Sequence, residues 1–109
     1  MEKDPKIFLK HILESVEAVE KYTKKISKEK FAKDVEKQDA VIRRVEIIGE
    51  ATRNISAEFK VKHREIEWKE IIGMRDKLIH EYFGVSLNVV WNTIKKDIPK
   101  LKKQIQELL

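Results

Sequence analysis

Trp68-Lys69-Glu70-Ile71-Ile72-Gly73-Met74-Arg75-Asp76-Lys77-Leu78-Ile79-His80-Glu81-Tyr82 is the stretch that decides how the chain folds. At about 100° per residue, Trp68, Ile71, Ile72, Leu78, Ile79 and Tyr82 all project within about 60° of Arg75. The segment is an amphipathic helix, and its apolar stripe carries a guanidinium at the middle. An unpaired guanidinium there would cost on the order of several kcal/mol. A sequence keeps such a group where the face lines a site or meets an anion. Asp76 and His80 lie on the flank of the same stripe, one turn apart.

The same helical period runs outward in both directions. Asp4 as N-cap and Pro5 at the first helical position open a first helix. Its apolar set is Phe8, Ile12, Val16, Val19, Tyr22 and Ile26. The polar stretch from Ser27 to Lys33 interrupts that period and holds Phe31 as an anchor. A second helix is expected from Asp34 to about Ile55. Val41, Val45, Ile48 and Ile55 form its stripe, and Gly49, costly in mid-helix by ~1 kcal/mol against Ala, implies a close helix approach. Residues 56 to 67 are charged and aperiodic and read as a loop with at most a helical turn. The third helix, Trp68 to Tyr82, ends at Gly84, and Ser86 caps a fourth. Its stripe is Leu87, Val90/Trp91, Ile94, Ile98, Leu101, Ile105 and Leu108. Pro99 falls inside it and should kink or split the helix near Asp97.

With 109 residues, the chain suits one domain, 1–109, with a single core. Charged residues are 39% of the chain, and there are only three Gly and two Pro, so the composition favours an all-α bundle of antiparallel helices. The net charge of +5 suits a polyanionic partner and equally a well-solvated surface. Without cysteine there is neither a disulfide framework nor a thiolate metal site. The polar N-terminus does not resemble a signal peptide, and no apolar run is long enough to span a membrane. A cytoplasmic location is expected.

Arg75, Asp76 and His80 suggest a chemistry. Histidine is suited to proton transfer near neutral pH. Asp76, four residues earlier, is placed to orient the imidazole. Arg75 offers a planar fork of donors for a phosphate. Base, orienter and clamp together are the minimum kit for attack of an RNA 2′-hydroxyl on its neighbouring phosphate, with no cofactor. His11, His63 and His80 are scattered, and no metal-binding pattern appears. The same three residues also describe a structural ion pair and cap. Arg75 and His80 lie about 140° apart on one helix, so two copies of the helix facing each other in a homodimer would bring them into one cleft.

Arg75-Asp76-Lys77-Leu78-Ile79-His80-Glu81-Tyr82 resembles the R-x4-H-x-Y motif of HEPN-domain proteins, specifically the HepT-like toxins. The blocks Asp39–Ala51, Trp68–Arg75 and Val89–Pro99 resemble the family's in order and spacing. The resemblance implies a four- to five-helix, HEPN-like dimer with the motif helices facing one another. It implies a metal-independent RNA endonuclease that acts as the toxin of a toxin–antitoxin pair. Arg75 and His80 would be the catalytic pair, with Asp76 in support. An MntA-like nucleotidyltransferase antitoxin would silence the toxin by adenylylating Tyr82, which puts a bulky anion where RNA phosphate should sit. Asp76 departs from the Asn more usual at that position and sets a negative charge beside the clamp. Some HEPN relatives only bind a nucleotide or a partner, so a non-catalytic module working with a minimal nucleotidyltransferase is the alternative.

Overall fold

The computed structural model describes the backbone of residues 4–83 and 87–109, and the side chains of residues 4–78 and 88–109. Among these residues every regular element is helical and there is no strand. The elements are α1 (Pro5–Thr23), α2 (Lys28–Lys33), α3 (Val35–Arg53), α4 (Ala57–Lys62), α5 (Trp68–Phe83), α6 (Leu87–Asn92), a π-helical turn (Thr93–Asp97) and α7 (Ile98–Leu108).

Local chemistry sets the helix starts. Asp4 Oδ1 accepts from the Lys6 amide at 2.9 Å, with Pro5 following as expected. Ser27 Oγ accepts from Lys30 N–H at 3.1 Å, Asp34 Oδ1 from Lys37 N–H at 3.1 Å, and Ser56 Oγ from Phe59 N–H at 3.2 Å. Each such cap stabilises its helix by about 1 kcal/mol. Two of them correct the sequence expectation. Ser27–Lys33 interrupts the apolar period but is itself a capped helix, α2, and Ser56 opens α4 inside the stretch read as loop. Six-residue helices are too short to show a period, so only their capping serines announce them.

α1 packs along α3, α3 along α5, and α1 along α7. The core is built from Leu9, Ile12, Val16 and Val19 of α1 and Val41, Val45 and Ile48 of α3. It also takes Ile71, Met74 and Leu78 of α5 and Ile98, Leu101 and Ile105 of α7. Phe31 anchors α2 in this core, fully buried, with its ring centroid 5.5 Å from that of Trp91. Gln38 Nε2 donates to the Phe31 carbonyl at 2.7 Å and so ties α2 to α3.

Pro99 acts as its position implies. It has no N–H to give and its ring crowds the carbonyl four residues back. The turn ahead of it widens into the π-helical turn, in which Ile98 N–H donates to the Thr93 carbonyl, and α7 restarts at Ile98. Gly49 faces α5 as expected, but a Cβ there would meet the Ile72 carbonyl oxygen at 3.6 Å, an ordinary contact. The approach does not require glycine. Gly84 and Ser86, the expected terminator and cap, lie outside the described residues.

Candidate active site

α3 and α5 run antiparallel. Arg75 Nε lies 3.3 Å from Glu46 Oε2, and the Ile72 carbonyl faces Gly49. The paired numbers keep a constant sum, as antiparallel neighbours must. Carried along both helices, this register sets the last turn of α5, with His80 and Tyr82, level with the first turns of α3.

Arg75 is less buried than its helical angle suggests. Among the described residues of α5, those buried are Trp68, Ile71, Met74 and Leu78. Their mean direction is displaced from Arg75 toward Met74, so Arg75 borders the core stripe instead of bisecting it. Its side chain is 46% exposed. Nη1 donates to Asp76 Oδ1 at 3.1 Å, and Nε is the atom held by Glu46. The anion that the sequence demanded is thus supplied within the chain. A guanidinium has five N–H donors, and two are engaged, so three point to no described acceptor. Exposed ion pairs of this kind contribute only about 0.2–1 kcal/mol each, and an incoming phosphate can compete for the fork.

Asp76, expected to orient His80, has Arg75 as its described partner and is 74% exposed. The side chains of His80 and Tyr82 lie outside the described residues. Lys77 turns to the opposite flank of α5, with Nζ 3.9 Å from Asp97 Oδ2. There a groove of about 350 Å³ separates α5 from α7 and takes in Glu67, Glu70, Met74, Lys77, Asp97 and Lys100. The protonated Glu70 carboxyl can donate a hydrogen bond to the Glu67 carboxylate, and this, reinforced by the negative charge of Glu67, raises the pKa of Glu70 above its ordinary value.

The surroundings of two residues, Glu46 and His11, escaped the sequence reading. Glu46 was placed only as a polar position of its helix, and its contact with Arg75 needs the tertiary register to be known. His11, given no role, lines a cleft of about 330 Å³ with Phe8, Arg43, Glu46, Glu50 and Asn54. The cleft continues from Glu46 along α1 and α3. His63 is structural: its ring packs on Phe59 at 4.5 Å, and its carbonyl accepts from Trp68 Nε1 at 3.0 Å. Among the described residues, no three His, Cys, Asp or Glu side chains converge as metal ligands, and no helix is long and apolar enough to cross a membrane.

The family model for "Ribonuclease HepT-like" proteins matches residues 12–108. A Methanocaldococcus jannaschii protein named "Gamma-glutamylcyclotransferase and putative RNase" is 53% identical over the whole of this chain, which spans 49% of that relative. A "Putative RNase" of Caldanaerobacter subterraneus is 51% identical over 98% of this chain and 96% of its own length. The "Probable ribonuclease HepT" of Thermococcus cleftensis is 49% identical over 99% of this chain and 98% of its own length. No solved structure matches the chain. The helical architecture, the motif carried on α5 and a match over nearly the full length lead to one assignment: the chain belongs to the HepT-like ribonuclease family.

Proposed function

We propose that this chain, as a single domain over 1–109, is a metal-independent RNA endonuclease and the toxin of a toxin–antitoxin pair. The observation that carries the reading is Arg75. It is a half-exposed guanidinium that Glu46 and Asp76 engage only in part among the described residues, on the same helix as His80 and little more than one turn from it. His80 would take the proton from an RNA 2′-hydroxyl as its oxygen attacks the adjacent phosphorus. The P–O5′ bond breaks, the 5′-oxygen takes a proton from water as it leaves, His80 returns its own to solvent, and a 2′,3′-cyclic phosphate remains. Arg75 would hold the phosphate and offset the charge that grows on its oxygens. Asp76 would support the Arg75 fork through the hydrogen bond it accepts from Nη1. Because Arg75 and His80 diverge by about 140° on one helix, a homodimer with two facing α5 helices would form the cleft.

Regulation would fall on Tyr82, adenylylated by an MntA-like nucleotidyltransferase antitoxin in the cytoplasm. Incubation with that partner and ATP should add AMP mass to the wild type and none to Tyr82→Phe. For catalysis, Arg75→Ala and His80→Ala should each lose at least about 100-fold in RNA cleavage, in line with loss of a general base or a charge-stabilising donor, while remaining dimeric. Either variant cutting like wild type overturns the assignment. The alternative, a non-catalytic module that binds nucleotide or partner, draws on the two carboxylates that already engage Arg75. Calorimetry showing ATP or partner binding by a protein with no nuclease activity would favour it.

A further inference from the structure

Positive charge is not spread evenly over this chain. Residues 21–37 contain seven lysines against Glu29, Asp34 and Glu36, so they hold four of the five net positive charges. The fold gathers this segment at one end of the bundle, where α1 stops, α2 crosses and α3 begins. Two lysines there have structural work. Lys37 Nζ donates to the Tyr22 carbonyl at 3.2 Å and Lys95 Nζ to the Thr23 carbonyl at 3.3 Å. These contacts satisfy carbonyls at the C-terminus of α1 and offset the negative end of its dipole. Lys24, Lys25, Lys30 and Lys33 are exposed, and none makes an ion pair among the described residues. All four line one open concavity, with Asp34, Glu36 and Lys37. Asp34 is committed to capping α3.

The location gives this charge a direction. Arg75 stands level with Glu46, and α3 begins at Val35, eleven residues earlier. At 1.5 Å per residue that is ~16 Å along the bundle, about five stacked nucleotides at ~3.4 Å each. The last turn of α5, with His80 and Tyr82, points toward this end. Phe31, the aromatic residue of α2, is buried, and Val35 is the one large apolar side chain exposed here. The surface therefore suits phosphates, not base stacking or insertion among lipids.

We infer that Lys24, Lys25, Lys30 and Lys33 form a docking track for the RNA phosphate backbone, leading single-stranded RNA to the C-terminal turn of α5. The inference rests on the nuclease reading for its direction and on the charge distribution for its site. The track binds by counterion release and without base preference, so it would add affinity to any substrate long enough to reach it.

The test is anisotropy of a labelled single-stranded RNA of about 20 nucleotides, titrated at several salt concentrations in the His80→Ala background. The same background carrying Lys24→Gln, Lys25→Gln, Lys30→Gln and Lys33→Gln is compared with it; Lys37 and Lys95 are kept so that α1 stays capped. Each lysine that meets a phosphate contributes ~0.7 to the slope of log K against log salt. The fourfold variant should lose about 2–3 from that slope and at least about 10-fold in affinity. In the active background it should cleave long RNA poorly and a short oligonucleotide like wild type. An unchanged slope overturns the track, as does a parent that binds no RNA. Unchanged RNA binding with loss of capture by phosphatidylglycerol vesicles would overturn it in favour of a membrane surface. RNA binding through the four lysines by a protein that never cleaves would leave the track standing and sink the nuclease reading.

Discussion

Arg75 reaches Glu46 across the α3–α5 packing and Asp76 along its own helix, so a phosphate entering the site must displace or share with carboxylates. Glu46→Gln should therefore strengthen RNA binding, by up to about 5-fold if the pair is worth the ~1 kcal/mol upper end for exposed pairs. The check is the RNA dissociation constant in the His80→Ala background. An unchanged or weaker affinity would mean that Glu46 positions Arg75 for substrate instead of competing for it. At this scale the motif is conspicuous in the sequence, since Arg75 and His80 stand out chemically on one helix, and α5 carries both positions as the period places them. Glu46 was not, because no local spacing reveals a partner 29 residues away. The exposure of Arg75 was misjudged for a related reason: helical angles define a stripe, but the neighbouring helix decides which edge of it is buried. Ser15 makes the same point inside the core, as a buried hydroxyl with no acceptor among the described residues.

The long helices were readable because a period of three and four residues sustained over four or more turns has few other solutions. α1, α3 and the restart at Ile98 fall close to where caps and Pro99 place them. α2 and α4 were not readable as helices, being shorter than two turns, although Phe31 was recognisable as an anchor. That anchor holds α2, and with it the lysine-rich end, against Trp91. Phe31→Ala should cost about 3–5 kcal/mol, seen as a lower midpoint in urea. A loss under ~1 kcal/mol would show that α2 is held by its hydrogen bonds alone. Gly49 leads to the opposite expectation. Its missing Cβ is not required by the contact with Ile72, so Gly49→Ala should stabilise by up to about 1 kcal/mol through helix propensity. Destabilisation would mean that α3 and α5 pack more tightly than a 3.6 Å contact implies.

For the whole molecule, family and all-α architecture were both within reach of the sequence, because the residues that build the bundle and those that mark the family lie on the same helices. The lysine-rich run at 21–37 is plain in the sequence, but the concavity it lines at one end of the bundle was not, since that depends on which helix ends the fold brings together. A single copy sets Arg75 and His80 on different sides of α5, and the proposed chemistry needs two. Equilibrium sedimentation should therefore find a dimer at the concentrations that support cleavage, and a monomer with full activity would remove the shared cleft from the account. The most direct test of the central claim is incubation of purified protein with a mixed tRNA and mRNA pool in EDTA, beside His80→Ala. The account predicts cutting in the wild type that chelation leaves intact, with fragments ending in cyclic phosphate, and no cutting by the variant. A folded, unmodified wild-type dimer that leaves the RNA whole, or a variant that cuts equally well, would contradict it.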